Sequence, residues 1–591
     1  MKKIYVWIII TSVLISGCGK NLDQTPQSTA SKDAVFGSVQ GLELYANSFY
    51  DNLPAASDIV RGDAISDMVA RATVPDFIRE GAFSSRQSTG WTWTNLRNIN
   101  YFIENCTNPA IAPDVRANYI GLARFFRAWF YVDKVKRFGD VPWISKTLSV
   151  TDPALNNSRD PRTLVMDSVL ADLDFACANI KATDDKTRSL ITKYVAYAFK
   201  SRVCLFEGTF RKYQTGYKLE STAGKWLTEA ITAAKKVMDE AGYTLNNANG
   251  TDKSYRTLFI SKAPVTNEVM LAAVVDPALS VFHDANWYWT SATYGDRASL
   301  IRTFVNTYLN IDGTPFTSKP NYATMPFVEE VKGRDMRLQQ TIRMGDYKRI
   351  NGGATEAAPP VFSYTYTGYQ PIKWTVDDTY YDGGTRNDNS VATIRYAEVL
   401  LNYAEAKAEL GGFTDDDWTK TVGALRKRAG ITSGLTTRPI AIDPYLQTTY
   451  FPGISDPVLL EIRRERGIEL VFEGFRFNDL TRWKRGELMN LIWNGFYVPA
   501  LDQPMDLNGD GKMDVYFYQT KPATQLPGVT YINVAPTING LVNPQRLSNN
   551  TYGELTWLTN IPKPWNDKFY LYPIPETDKL LNPKIGQNPG W

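Results

Sequence analysis

EIRRERGIELVFEGFRFNDLTRWKRG, residues 461–486, is the stretch whose reading decides the fold. Leu459, Leu460, Ile468, Val471 and Phe472 recur at the spacing of an apolar helical stripe. Glu461, Arg463, Arg464, Glu465, Arg466 and Glu469 load the same helix with both signs of charge. Gly474 breaks it, since glycine readily enters the left-handed conformation that ends helices. Phe475, Phe477, Leu480 and Trp483 then open a second amphipathic helix, with Arg476, Asp479, Arg482 and Arg485 between them. Opposed charges interleaved with large aromatics predict a packed helix pair whose ions pair internally. Such networks are usually structural.

Outward from this pair the helical period recurs. It predicts helices over 33–52, 91–105, 113–138, 162–180, 190–207, 225–241, 391–410, 418–429, 456–473 and 476–486. In 190–207 the small Ala196, Ala198 and Ser201 alternate with Tyr194, Tyr197 and Phe199, a pattern suited to close helix packing. Long helices in antiparallel pairs predict a tetratricopeptide-like stack. Residues 243–389 change character, with more Gly, Pro, Asn, Thr and aromatics. Within them, 269–275 reads as a short buried strand, 298–310 as a helix and 361–374 as a strand or hairpin. Residues 283–294, HDANWYWTSATY, read as an exposed aromatic loop. Residues 491–591 read as loop and short strand. The fold class is therefore mainly α: a helix-pair scaffold over about 33–242 and 390–490, carrying a loop-rich, partly β insertion over about 243–389.

The 591 residues carry 65 basic and 62 acidic side chains, a net charge of +3. That balance, without a long basic run, argues against nucleic acid as a partner. A single histidine, His283, leaves little room for histidine-based metal or acid–base chemistry. At the N-terminus, Lys2 and Lys3 precede an apolar run, 4–15, too short to span a bilayer. Ile15-Ser16-Gly17-Cys18 follows and resembles a bacterial lipobox. Residues 1–17 then form a lipoprotein signal peptide, Cys18 carries the lipid, and 18–32 form a polar tether. Acyl chains hold such a domain to a membrane by burying CH₂ groups. Cys106, Cys177 and Cys204 lie in apolar helical patterns and read as buried free thiols.

Sugar binding without catalysis needs flat aromatic faces rimmed by polar groups. Trp287, Tyr288, Trp289 and Tyr294 are the leading candidates, with Asn286 and Asp296 beside them. Trp287 and Trp289 share a face if the segment is extended. Trp91, Trp93 and Trp374 form a second set. Separately, Asp506, Asn508, Asp510, Lys512 and Asp514 sit in D-x-N-x-D-G-x-x-D, the first nine positions of an EF-hand-type loop that would hold structural calcium. Position twelve is Phe517, so the bidentate carboxylate is missing. The same residues suit a plain Asn-Gly/Asp-Gly hairpin turn without metal. No Gly-x-Ser-x-Gly elbow or phosphate loop is present. A glycosidase needs only two carboxylates, so a surface glycoside hydrolase stays open, as does a scaffold that grips peptide or glycopeptide.

Residues 463–483 fit R-R-E-R-x-x-E-L-x-F-E-G-x-R-x-x-D-L-x-R-W, a pattern that resembles the hallmark of SusD-like (RagB) nutrient-binding lipoproteins. Leu22-Asp23 with Pro26, residues 394–410, and Tyr572-Pro573-Ile574-Pro575-Glu576 through Asn588-Pro589-Gly590 extend the likeness over nearly the whole chain. The resemblance implies a single domain over 33–591 and no cofactor for catalysis. It implies an outer-membrane lipoprotein facing the cell exterior, which binds oligosaccharide or polysaccharide and serves a SusC-like TonB-dependent transporter. It also places ligand contacts in the central insertion, making 243–389 the ligand-binding region, and in the loop after the first helices, adding Asp67, Arg71 and Trp91.

Overall fold

The computed structural model describes residues 32–591; Cys18 and its tether lie outside the described residues. Five long helices open the scaffold: α1 (Thr94–Asn105), α2 (Pro113–Phe138), α3 (Arg162–Asn179), α4 (Lys193–Tyr213) and α5 (Ala223–Glu240). Pro113 starts α2, where its missing N–H costs nothing, and Gly139 closes it at φ 76°. Successive helices pack on one another. The closest approach is between α4 and α5, where a Cβ on Gly208 would meet Leu227 Cγ at 2.8 Å. The stack buries Leu96, Phe126, Leu173, Val195 and Trp226 in one core. The free thiols of Cys106, Cys177 and Cys204 are buried there too.

The chain then enters the insertion through strand β1 (Val269–Ala273) and leaves it through strand β2 (Val391–Arg395). The two pair antiparallel, Ala273 with Val391 and Val269 with Arg395, and so close the base of the insertion. Between them lies α6 (Ala285–Thr290). After β2 come α7 (Tyr396–Leu410), α8 (Val422–Arg428), α9 (Pro457–Glu469) and α10 (Arg476–Arg482). Helix α7 packs on α5 and on α9, which joins the two halves of the stack. A second core lies under the insertion and the C-terminal part, around Tyr255, Phe304, Tyr369, Trp374, Phe496 and Phe517. Among the described residues no helix is long and apolar enough to cross a membrane.

Several boundaries differ from the sequence reading. Residues 391–395 are strand rather than helix, because β-branched Val391, Thr393 and Ile394 find a partner strand in 269–273. Residues 298–310 keep only one helical turn, Arg302–Val305. Residues 361–374 form turns, not a hairpin. Residues 33–52 split at Gly37 into Lys32–Phe36 and Val39–Asn47.

The helix pair of 461–486 is present, and its charges are buried, but most of them pair elsewhere. Glu469 takes Arg337 at 2.7 Å, Arg395 at 2.6 Å and Arg428 at 2.5 Å. Glu465 takes Arg337 at 2.6 Å and Arg426 at 3.0 Å. Glu473 takes Lys373 at 2.6 Å and Arg395 at 2.8 Å. Within the stretch, Arg466 reaches Asp479 at 2.8 Å, and Arg482 reaches both Asp479 and, at 2.5 Å, Glu405 of α7. Helix α9 ends at Glu469, short of the expected 473, and α10 ends at Arg482, short of 486; Gly474, at φ 81°, closes the turn between them. Its neighbour in space is Gly62, where a Cβ would fall 2.5 Å from the Gly474 Cα. Two glycines therefore let the N-terminal loop cross directly over the helix break.

Beside that crossing, the Asp63 carboxylate accepts the Arg476 backbone N–H at 3.0 Å through one oxygen, while the other oxygen has no partner. Burial pushes its carboxyl up to about 6. The folded state thus favours the protonated acid. The resulting stabilisation is full below the unfolded value near 3.8 and is lost as pH rises through about 6. Asp63→Asn is expected to flatten the pH dependence of the urea midpoint between those limits. An unchanged profile would assign the dependence to other groups.

Candidate functional site

The aromatic segment 283–294 is not extended. Residues 285–290 form a single helical turn, so positions two apart point to nearly opposite sides. Trp287 and Trp289 therefore do not share a face. Trp287 is half-buried, and its ring stacks on Tyr294 with centroids 3.5 Å apart and planes 9° apart. Tyr294 is 42% exposed. Trp289 turns inward onto Phe472 at 5.0 Å and belongs to the core, as does Tyr288.

The other aromatic candidates are structural. Trp91 is buried against Phe138 at 5.1 Å, and Trp93 packs on Phe130 at 5.6 Å. Trp374 is buried, donating its indole N–H to the Phe472 carbonyl at 2.8 Å. Asn286 is fully buried, and its amide bonds the Val376 carbonyl at 2.9 Å and the Asp382 carboxylate at 3.0 Å. Asp67 is buried in a bidentate pair with Arg476, both contacts 2.7 Å. Trp91, Trp374, Asn286 and Asp67 are buried as placed, whereas Trp93 is half-buried and lines a cavity of about 290 Å³ with Leu96, Arg97 and Ile144.

Around the exposed stack, two ion pairs cross from the N-terminal loop to the insertion. Arg61 pairs with Asp284, and Arg71 pairs with Asp296. Tyr294 donates its hydroxyl to Asp284 at 2.6 Å, and Tyr288 donates to Asp296 at 3.2 Å. The Arg61 guanidinium lies 4.6 Å over the Tyr288 ring. Although burial opposes its charge, Tyr294 and Asp284 hold Arg61 more firmly protonated than usual. Burial, with Asp296 behind it, pushes the Tyr288 phenol up. The nearby His283 is buried, with Nε2 2.8 Å from the Asn389 carbonyl oxygen, and burial lowers its pKa.

A second stack, not anticipated from sequence, adjoins the first. Tyr366 and Trp557 lie 3.7 Å apart with planes 14° apart, both half-buried. The Trp557 indole donates to the Arg71 carbonyl at 2.7 Å, and the Arg297 guanidinium sits 5.4 Å over Tyr366. Thus Arg71 and residues 296–297 link two planar pairs. Arg61, Asp284, Arg297, Tyr366 and Trp557 come from four separate parts of the chain. Only the richness in aromatics could have hinted at the last two.

In the 506–514 loop, Asp506 accepts the backbone N–H groups of Asn508, Gly509 and Gly511, at 3.1, 2.6 and 2.8 Å. Asp510 caps Lys512, and Asp514 accepts from Leu507. Phe517, at position twelve, is buried in the core. Among the described residues no group of three or more His, Cys, Asp or Glu side chains is placed to hold a metal ion. The flanks are strands, Pro504–Met505 and Val515–Tyr518, which pair antiparallel.

A scaffold of stacked helices, with a stapled insertion presenting planar side chains, defines the class. The family profile described as "SusD family" matches residues 240–591, more than half the chain, and one described as "Starch-binding associating with outer membrane" matches residues 59–198. The chain belongs to the SusD family. "SusD-like protein P2" of Formosa agariphila is 24% identical over 525 residues, 82% of this chain and 92% of that protein. A "SusD-like carbohydrate binding protein" from Bacteroides fragilis has the same fold, with TM-score 0.67 at 18% identity, covering 93% of this chain and all of the other. A second SusD-like structure from the same species gives TM-score 0.66 at 20% identity over 96% of this chain.

The inward and outward tryptophans separate cleanly in a stability test. Trp289→Ala is expected to lower unfolding free energy by about 3–5 kcal/mol. Trp287→Ala is expected to change it by less than about 1 kcal/mol, as befits a half-exposed ring. Urea midpoints read both, and equal losses would contradict this placement.

Proposed function

We propose that this protein is a non-catalytic, lipid-anchored surface protein that captures oligosaccharide or polysaccharide and delivers it to a SusC-like TonB-dependent transporter. The observation that carries this reading is the Trp287–Tyr294 stack, open to solvent beside the Arg61–Asp284 pair. The ring faces suit sugar C–H surfaces, and the charged rim suits hydroxyls. The family description of starch binding at the outer membrane and the carbohydrate-binding relative support it. Against hydrolysis, Asp284 and Asp296 are each held by an arginine, which leaves neither poised as a general acid. The lipid on Cys18 would fix the protein at the exterior of the outer membrane.

Cells displaying the full chain are expected to deplete polysaccharide from solution without releasing new reducing ends. Trp287→Ala should weaken retention about tenfold, the size of one aromatic contact. Cys18→Ala should remove binding from the surface fraction and leave it in the soluble one. New reducing ends would point to a glycoside hydrolase. No depletion would point to a peptide-gripping scaffold.

Calcium in the 506–514 loop is a proposal on donor chemistry. Asp506, Asn508, Asp510 and Asp514 supply side-chain oxygens at positions one, three, five and nine, the donor type a hard cation takes. Excess calcium should raise the thermal midpoint over that in chelator, and equal midpoints would overturn the proposal.

A further inference from the structure

Away from the stacked rings, three cavities open along α2, with volumes of about 580, 220 and 200 Å³: the largest lies between α2, residues 51–58 and the start of α1, and the other two lie between α2, α4 and α10. They share walls. Trp129 and Asp133 line two of them, Pro54 and Asp58 line two, and Lys136, Arg202 and Asn478 line two. Together they make one cleft on the helical scaffold.

Helix α2 presents Trp129, Asp133 and Lys136 to this cleft at intervals of four and three residues, one side of a helix. Trp129 is half-buried and lies flat on Phe199, with centroids 4.3 Å apart and planes 21° apart. Phe199 therefore backs one face of the indole, and its other face is left toward the cleft. Asp58 and Asp133 are exposed and make no ion pair with any described residue; one Asp58 oxygen accepts the Ala55 N–H at 3.0 Å, which leaves its other oxygen and the Asp133 carboxylate to accept hydroxyls.

The cations of the cleft are not alike. Arg202 is held by Glu398 at 2.6 Å, Arg466 by Asp479 at 2.8 Å and Arg482 by Glu405 at 2.5 Å. Arg137 gives its guanidinium to the Thr89 carbonyl at 3.1 Å and lies 4.0 Å over Tyr572. The Lys136 amine has neither an ion pair nor a hydrogen bond to any described residue; it rests 4.7 Å over the Phe206 ring. Burial, then the neighbouring charge of Arg202, pull this amine down to about 8. The amine is half-buried and has no direct partner; the charges of Asp133, Asp479 and Glu398 offset part of that cost from a distance, and an anion arriving from outside would supply direct contact.

We propose that this cleft is a second saccharide site, selective for a sugar carrying a carboxylate or sulfate ester: the ring stacks on Trp129 and its anion pairs with Lys136. The inference rests on the saccharide-binding reading above and adds to it a place and a charge preference. Asp133 and Asp58 would take hydroxyls, and Asn478 would donate to ring or linkage oxygens.

The test is calorimetry on the full chain with three probes of equal length: oligogalacturonate, a sulfated galactan oligosaccharide and a neutral galactan oligosaccharide. At least one anionic probe should bind about tenfold more tightly than the neutral one, the margin of one charge-assisted contact. Lys136→Met should erase that margin and Lys136→Arg should keep it. Whichever anionic probe shows the margin identifies the group. Binding of the neutral probe with no margin for either anion overturns this proposal and leaves the general reading standing. Binding of none overturns both. A hexaglutamate peptide binding as tightly as the sugars would assign the cleft to acidic peptides and overturn the saccharide assignment.

Discussion

Four carboxylates spaced four residues apart, Glu461, Glu465, Glu469 and Glu473, run along one side of the central helix and the turn beyond it. Cations alternate between them. Arg426 bridges the first and second, Arg337 the second and third, and Arg395 the third and fourth. These groups are buried. Taking each ion out of water costs several kcal/mol, and only good geometry with every partner recovers it. For Glu469, burial works against the charge, and Arg428, Arg395 and Arg337 overcome it and hold the carboxyl well below its ordinary range. Such a ladder adds little net stability over an apolar core, but it tolerates no alternative register. The cations come from three places: Arg337 and Lys373 from the insertion, Arg395 from β2, and Arg426 and Arg428 from α8. The ladder is therefore where insertion and scaffold are locked together.

This explains what was legible in the sequence. The two helices are local properties and read from spacing, but the first ends at Glu469, so Val471 and Phe472 lie in the turn before Gly474 rather than on a helical stripe. The charge density was visible too, but not its purpose. Nothing in 461–486 announces that Glu465 and Glu469 belong to an arginine more than a hundred residues upstream. The same limit explains 391–395. Its residues fit a helical stripe, but three are β-branched or Thr, and the strand exists only because 269–273 lies alongside. Propensity yielded to a partner that single-segment reading cannot see.

The aromatic segment was misplaced for a different reason. Its composition suggested exposure, and an extended reading put both tryptophans on one face. One helical turn reverses that conclusion. Trp287 goes out and Trp289 goes in, and the indole that faces inward packs on Phe472, a non-glycine residue held at φ 62°. A bulky residue in that conformation carries strain of order 1–2 kcal/mol. It is retained at the helix break, where its carbonyl receives Trp374 and its ring receives Trp289. Trp374 and Trp289 are thus ligands of the helix pair rather than of a sugar.

The N-terminal loop completes the connection between lock and platform. Asp63 and Asp67 face the helix pair and hold Arg476 by its backbone N–H and its guanidinium. Arg61 and Arg71, on the same short loop, face the other way and hold Asp284 and Asp296 of the insertion. Four charged residues within eleven positions therefore transmit the position of α10 to the exposed rings. The crossing of Gly62 over Gly474 sets how close the loop can come. A larger residue at either glycine would lift the loop from the break, and with it the two arginines that fix the edge of the stack. The exposed aromatic surface is thereby tied, through this loop, to the helix pair that carries the buried ion ladder.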